Sequence, residues 1–215
     1  MRKLLLTTAA VAAAIGAVAM VGTFWLSERG NMLIHESILP ITYEMFTDSR
    51  DGQTYRTVKI GNQIWMAQNL NYEADSSWCY ENNADSCNKY GRLYSRYAAN
   101  MACPAGYHLS SRKEWMDLTA AVGGKRSAGK KLKARCGWNE FGNGTDGYGF
   151  SALPGGNGTP GTFYNAGNKG EWWTVTEIGY NIALCRTMYY NNDLVDEDIV
   201  NIRREAHSVR CVADK

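Results

Sequence analysis

The sequence has little net charge and few histidines. Its 23 basic and 21 acidic side chains give a net charge of +2 at pH 7, and the 215 residues include three histidines. Proteins that bind nucleic acids need a basic face that displaces counterions from phosphates, so this balance argues against a nucleic-acid partner. Hydrophobic residues at 45% and charged residues at 20% exclude general disorder and allow a packed core.

One long uncharged run, Leu4 to Leu26, follows Arg2 and Lys3 at the N-terminus. It fits a signal peptide cleaved before Met20, where Ala17 and Ala19 form a small-x-small site, or an uncleaved anchor, because a run of 23 residues is long enough to span a bilayer. No cysteine follows the run, which gives no support to a lipid-modified N-terminus. Both interpretations predict export to the periplasm, the cell surface or the medium, with residues 4–26 holding an uncleaved chain to the membrane.

Two local patterns open the folded part of the chain. The segment "YRTVKIGNQIWM" contains two alternating runs joined by Gly61-Asn62, which predicts a β-hairpin with a tight turn. Further on, Leu93, Tyr97 and Met101 have helical spacing and predict a helix that ends near Pro104, because proline cannot continue a helix.

A second helix is predicted from Ser111 onward. Ser111 and Glu114 have the spacing of a capping box, in which each side chain accepts a hydrogen bond from the other residue's backbone N–H. The helix would then present one apolar stripe, formed by Trp115, Leu118 and Val122.

The remainder predicts long loops followed by strands. Residues 137–161, "GWNEFGNGTDGYGFSALPGGNGTPG", are rich in Gly, Asn and Asp and predict an ordered loop region that carries function. Strand patterns return in "EWWTVTE", "IALCRTMYY" and "HSVRCVAD". We therefore predict a signal or anchor at residues 1–26, a connector at 27–47 and one α+β domain with an antiparallel sheet at 48–215.

Five motifs in order carry a family resemblance: "FTDSRDGQTYRTVKIGNQIWMAQNLNYE", "YGRLYSRYAANMACPAGYHLSSRKEW", "GWNEFGNGTDGYGFSALPGG", "EWWTVTE" and "SVRCVAD". From Phe46 to Asp214 the chain resembles the Fibrobacter succinogenes major paralogous domain family, whose members are exported or surface proteins of bacteria with a poorly defined biochemical role. The domain is also similar to the C-type-lectin-like and formylglycine-generating-enzyme-like group. That resemblance implies a small sheet, two helices, long loops, and first and last strands that lie together.

The six cysteines predict three disulfides if the domain matures in an oxidising compartment. A Cys79–Cys87 bridge would close a polar loop, a Cys103–Cys211 bridge would clamp a helix end to the last strand, and Cys136 and Cys185 would remain to pair. Six cysteines allow 15 connectivities, so this set is a hypothesis. Two alternatives stay open for Cys103: a nucleophile with His108, or a zinc site with His108, His207 and Cys211.

The late cysteines invite a comparison with the formylglycine-generating relatives, which use a reactive cysteine pair late in the chain. The residues around Cys185 and Cys211 do not match that enzyme's motif, so we expect no oxidase activity and no catalysis.

The long loop contains oxygen donors that suit calcium. Ca²⁺ takes six to eight oxygen ligands, and the candidates are Asn139, Glu140, Asn143 and Asp146. No EF-hand spacing is present, and the alternative is a network of turns in which these side chains bind their own backbone. No other cofactor is implied.

Aromatic side chains near amides suit carbohydrate recognition, because rings bind C–H faces and amides bind hydroxyls. Trp172 and Trp173 would point to opposite faces of a strand, one into the core and one outward. The candidate ligand-binding residues are Trp138, Asn139, Trp172, Tyr180, Tyr189 and Tyr190. The alternative is that the aromatics fill the core.

The basic segment "GKRSAGKKLKAR" offers either a contact with an acidic polysaccharide or an ordinary solvated helix end. Taken together, the patterns predict an exported, disulfide-stabilised, non-catalytic domain that binds a glycan or other surface polymer, with a role in adhesion. The alternative is a structural or assembly component of the cell envelope that has protein partners and no small ligand.

Overall fold

A computed structural model describes residues 40–215. The predicted signal or anchor and most of the predicted connector lie outside the described residues. The strands are β1 (Glu44–Thr47), β2 (Thr54–Ile60), β3 (Gln63–Met66), β4 (Ser77–Trp78), β5 (Leu93–Ser95), β6 (Tyr107–Leu109), β7 (Asn157–Thr159), β8 (Thr162–Tyr164), β9 (Lys169–Gly179), β10 (Ile182–Tyr189), β11 (Asp196–Asn201), β12 (Ala206–Ser208) and β13 (Cys211–Ala213). The helices are α1 (Ala84–Tyr90), α2 (Arg96–Ala102), α3 (Arg112–Ala121) and α4 (Lys125–Leu132), and a 3₁₀ turn covers Tyr80–Asn82.

The predicted hairpin forms β2 and β3 and anchors a five-stranded antiparallel sheet in the order β1-β2-β3-β13-β6. Its turn is at Gly61, whose φ of +61° is one that glycine adopts without steric cost. Strand β1 falls inside the predicted connector and pairs along its whole length with β2. The last strand, β13, pairs with β3 through Val212 and Trp65, so the end of the chain lies against the beginning of the domain.

A second sheet of eight strands follows the order β11-β10-β9-β12-β5-β4, with β7 and β8 attached at β12. Its pairs are antiparallel except for β9 with β12, where Ser208 lies beside Trp172 in a parallel arrangement. The α+β class is therefore confirmed, but the expectation of one small antiparallel sheet and two helices is wrong: residues 40–215 contain two sheets and four helices.

The neighbours Trp172 and Trp173 explain how the core is organised. Both indole rings are fully buried, and they belong to different hydrophobic clusters. Trp172 lies with Trp65, Trp115 and Phe150, whereas Trp173 packs among residues of α2, β5 and β10. The prediction that one of the two rings faces outward is wrong, because both faces of the sheet are covered at this part of β9.

Helix α3 forms as its sequence predicts. Ser111 Oγ accepts a hydrogen bond from the N–H of Glu114, and the Glu114 carboxylate accepts one from the N–H of Ser111. Trp115, Leu118 and Val122 are fully buried.

The helix predicted around Leu93 begins later than expected. Leu93 lies on β5, and α2 buries its alanines rather than Tyr97 and Met101, which are exposed. The face of α2 that packs closely against the domain accepts small side chains. The spacing of the large apolar residues does not indicate which face that is. No helix within residues 40–215 is long and apolar enough to cross a bilayer.

Two of the three predicted disulfides are present, Cys79–Cys87 and Cys103–Cys211. The second closes a loop of 108 residues, for which the chain-entropy argument gives a stabilisation of about 4–5 kcal/mol. The predicted Cys136–Cys185 bridge is wrong, since both cysteines are free. Cys185 lies in the middle of β10 and is fully buried, whereas Cys136 is exposed after α4, so the two could bond only if the backbone moved.

Candidate binding pocket

A pocket of about 290 Å³ lies where the C-terminal end of α4, the loop after it and the turn after β10 come together. The lining residues are Lys130, Lys133, Glu140, Phe141, Gly142, Tyr190, Asn191, Asn192 and Asp193. Small-molecule sites measure roughly 300–1,000 Å³, so this pocket suits one small group such as a single sugar ring.

Close backbone approaches at two glycines bring the three segments together. In α4, the N–H of Gly129 donates to the carbonyl of Asp193 over 2.9 Å, and a Cβ at Gly129 would stand 2.6 Å from the carbonyl oxygen of Leu194. A Cβ at Gly142 would collide with the backbone of Tyr190. The pocket walls are therefore positioned by contacts that only glycine permits at these two points.

Lys133, which follows α4, links two of the segments that form the pocket. Its side chain is almost completely buried, and Nζ donates to the carbonyls of Tyr189 at 3.1 Å and Asn192 at 2.8 Å. The ammonium also lies 5.1 Å from the ring centre of Trp138. Burial lowers the pKa of Lys133, while the charge of Asp193 opposes that shift. Lys133 thus fixes the turn after β10 to the end of α4.

The rim is formed by Glu140 and Phe141 at the apex of a turn that is closed by a hydrogen bond from Gly142 N–H to the Asn139 carbonyl. Both residues have positive φ, +46° for Glu140 and +64° for Phe141. The left-handed region is costly for a bulky L-residue, of the order of 1–3 kcal/mol. The Phe141 side chain is nevertheless 100% exposed, so no burial offsets this strain.

The pocket lining is otherwise polar and carries charges of both signs. Lys130 Nζ donates to the carbonyl of Asn143 over 3.0 Å, and Glu140 and Asp193 contribute carboxylates. Asn191 and Asn192 add amides at the opposite wall. An aromatic rim over amide and carboxylate groups can bind a polyhydroxylated ring, since the ring's C–H face and its hydroxyls find separate partners.

The predicted aromatic surface is divided among several places. Tyr190 lines the pocket, and Tyr189 beside it is half-buried, with its hydroxyl 3.3 Å from Asp198. Tyr180 is exposed but lies just before β10, at the other end of that strand, roughly 25 Å away if eight residues rise about 3.3 Å each.

The prediction that Trp172 and Trp138 bind a ligand is wrong, because both side chains are buried. Trp172 belongs to the core, and its Nε1 donates to Asn69. Trp138 is also buried, with Nε1 donating to the carbonyl of Ala152 over 2.9 Å. Neither indole can offer a face to a ligand.

The predicted calcium ligands serve mostly to hold the loop. Asn143 Oδ1 accepts from the N–H of Trp138, and the Asp146 carboxylate accepts from both the N–H and the hydroxyl of Ser151. Asn139 donates to Asn168 and Glu140 stands at the pocket rim. Among residues 40–215, no group of three or more His, Cys, Asp or Glu side chains is arranged to hold a metal ion. These hydrogen bonds are those of a network of turns, in which the side chains bind residues of their own loop.

The zinc and nucleophile hypotheses for Cys103 are also wrong, because Cys103 and Cys211 are joined to each other. His108 instead lies between two carboxylates, with Nδ1 2.7 Å from Asp214 and Nε2 2.7 Å from Glu114. Partial burial lowers the pKa of His108, but the two carboxylates raise it by more. The pKa of His108 is therefore above its usual value.

His207 lies in an ionic cluster that no sequence pattern indicated, formed by Lys169, Glu171, Asp198, Glu205 and His207. Its Nδ1 is 3.2 Å from Glu171 and its Nε2 3.1 Å from Glu205, although neither contact has hydrogen-bond geometry. Burial lowers the pKa of His207, but the thiolate form of Cys185 and the carboxylate of Glu171 raise it well above its usual value. While the Cys185 thiol is protonated, the Glu171 carboxylate is the one of these two groups that acts.

Cys185 lies beside His207, so a thiol (Cys185), an imidazole (His207) and a carboxylate (Glu171) are next to one another. Burial raises the pKa of Cys185 more than His207 lowers it, so the thiol is neutral at pH 7. Cys185, His207 and Glu171 are all buried. A nucleophile must reach its substrate as a thiolate, so this arrangement is suited to a structural role.

Sequence reasoning missed Phe141 and the turn at 191–193. One signal was available: Phe141 is a large apolar residue inside the polar run "WNEFGNG", where a turn would be expected to expose it. The contribution of Lys133 was hidden, because a buried lysine in a basic segment looks like any other solvated charge.

The family model of the Fibrobacter succinogenes major domain matches residues 58–213. No curated protein and no solved structure matches the chain. The matched range begins within β2 and includes the pocket and the last strand. Because it covers more than half of the sequence, the chain belongs to the Fibrobacter succinogenes major domain family.

Proposed function

We propose that this protein is an exported, non-catalytic domain that binds a glycan or another cell-surface polymer in the pocket between α4, the turn at 139–142 and the turn at 190–193. The observation that carries the proposal is Phe141, which is fully exposed and held in a left-handed conformation at the pocket rim. Strain that is not offset by packing tends to be retained at functional sites.

Other features support parts of the proposal. The two disulfides are typical of a domain that matures in an oxidising compartment. The contact between β13 and β3 is in keeping with a C-type-lectin-like arrangement, in which first and last strands lie together. The absence of catalysis is supported by the disulfide at Cys103 and by the burial of Cys185.

The test measures binding of the purified protein to a glycan array and to insoluble polysaccharides. For any glycan that binds, Phe141→Ala should weaken binding about tenfold or more, because covering a phenyl ring contributes roughly 1.5–3 kcal/mol. Phe141 is fully exposed, so the substitution should leave thermal unfolding unchanged.

Tyr97→Ala is the matched control, since Tyr97 is a 73% exposed aromatic on α2 and does not line the pocket. Trp138→Ala is unsuitable, because the loss of a buried indole would weaken binding through the fold. Equal binding by the Phe141 and Tyr97 variants would remove the pocket from the proposal. No binding to any member of the panel would favour the alternative, an assembly component of the cell envelope without a small ligand.

A further inference from the structure

Large apolar side chains are exposed at the end of β9 and β10 that lies away from the pocket. We define the apolar tip as Ile178, Tyr180, Ile182 and Ile199. Tyr180 is 84% exposed and Ile199 67% exposed. Ile182 pairs with Asn201, so Ile199 is its diagonal neighbour on the same face of the sheet. Turns normally carry polar residues, which makes apolar side chains at this position unusual.

A second turn supports the apolar tip and adds positive charge. The N–H of Ile202 donates to the Asn181 carbonyl, and Arg203 donates to Asn181 Oδ1 at 2.8 Å and to the Tyr180 hydroxyl at 3.0 Å. Arg203 and Arg204 are both exposed. The nearby carboxylates are already paired, Glu177 with Arg96 and Glu205 with His207. The surface therefore combines exposed apolar groups with two arginines.

We propose that the apolar tip inserts into the surface of a bilayer that contains anionic lipids. The isoleucines and the ring of Tyr180 would enter the boundary of the acyl region, while the Tyr180 hydroxyl would stay at headgroup level, so both parts of the tyrosine side chain find partners. Arg203 and Arg204 would extend toward the anionic headgroups. This proposal is independent of the pocket, which opens at the other end of β10.

A second copy of the chain is the competing occupant, and charge disfavours it. The natural route to a dimer would be antiparallel pairing of two β11 edges. Strand β11 begins with Asp196, Glu197 and Asp198, each already paired with a cation of its own chain. Because these carboxylates are already paired, a second β11 edge offers no free anion to Arg203 and Arg204, whereas an anionic bilayer does.

The experiment places a nitroxide spin label at Tyr180→Cys in the full chain, in a Cys136→Ser background that removes the exposed thiol. The protein is mixed with vesicles of phosphatidylcholine and phosphatidylglycerol, or of phosphatidylcholine alone. Collisions with oxygen, which concentrates in the bilayer, are compared with collisions with a water-soluble nickel chelate. A label at Tyr97→Cys is the control, because it reports any tethering through the N-terminal segment without insertion of the apolar tip.

In anionic vesicles, the label at position 180 should collide more with oxygen than with nickel, and the label at 97 should show the reverse. Arg204→Ser should lower the inserted fraction about fivefold, the equivalent of about 1 kcal/mol per arginine at a charged surface. A label at 180 that remains aqueous in both vesicle types would overturn the proposal. Shielding from both reagents with spin–spin broadening, in the absence of vesicles, would overturn it in favour of a second copy.

Discussion

Arg210 and His207 are buried cations three residues apart, and the protein stabilises their charges in different ways. The Arg210 guanidinium donates to neutral oxygens only: Asn69 Oδ1 and the carbonyls of Met66 and Phe150, over 2.6–3.1 Å. His207 instead lies between two carboxylates, Glu171 and Glu205. Both side chains are essentially inaccessible to solvent.

The difference follows from the ordinary pKa values of the two groups. Burial lowers the pKa of Arg210 to about 9, which still leaves it charged at neutral pH. A buried imidazole would lose its proton without help, because its ordinary pKa is about 6.5. Arg210 can therefore serve as a fixed donor that ties the long loop at Phe150 to the hairpin, whereas His207 needs carboxylates to remain charged.

Replacement of Arg210 should have the largest effect. We expect Arg210→Met to lower the free energy of unfolding by about 4 kcal/mol, because four charge-assisted hydrogen bonds are lost and the buried Phe150 carbonyl is left without its donor. Urea unfolding measures this. Arg126→Met, on the exposed side of α4, is the matched control and should change the value by less than about 0.5 kcal/mol. A loss below about 1 kcal/mol for Arg210→Met would show that the loop is held by other contacts.

Glu171→Gln should be next, with a loss of about 3 kcal/mol at pH 6, because it leaves the partly buried charge of Lys169 and the fully buried charge of His207 poorly compensated. Since the folded pKa of His207 is raised, its contribution is full below about pH 6.5 and is lost as pH rises toward the folded pKa. Urea unfolding across this range should show the gap between wild type and variant narrowing as pH rises.

Glu205→Gln is the control for that substitution. Glu205 also faces His207 but is partly exposed, so its removal should cost less than the removal of Glu171. An equal or larger cost would mean that Glu205, rather than Glu171, holds the charge of His207.

The buried charges around His207 and Arg210 differ from helix α3 in how far they could be predicted from the sequence. Helix α3 was predicted because its capping box and apolar stripe are local, and Cys79–Cys87 closes a short loop. The pocket and the ionic cluster were not predicted, since each joins segments far apart in the chain. Burial of Trp172 depends on which layers cover the sheet, and periodicity does not contain that information.

Cys185→Ala tests whether the carboxylates or the thiol set the charge of His207. Burial raises the pKa of Cys185, so the thiol should be neutral and the variant should keep His207 protonated at pH 7. The removed sulfur should cost about 1 kcal/mol as a lost packing contact. The NMR chemical shift of the His207 ring reports its charge, and Cys136→Ala, at an exposed site, is the control. A His207 pKa near 6.5 in the Cys185 variant would contradict the assignment to carboxylates.

His108 offers the smallest effect and the most direct contrast with His207, because it too lies between two carboxylates but is 39% exposed. We expect His108→Gln to cost less than about 1 kcal/mol at pH 6, because water screens an exposed ion pair. The pKa of His108 is raised, so this small contribution is present below about pH 6.5 and disappears as pH rises through the folded pKa. Urea unfolding at pH 6 and at a pH well above that value measures both. If His108→Gln cost as much as Glu171→Gln, burial would not be what separates the two histidines.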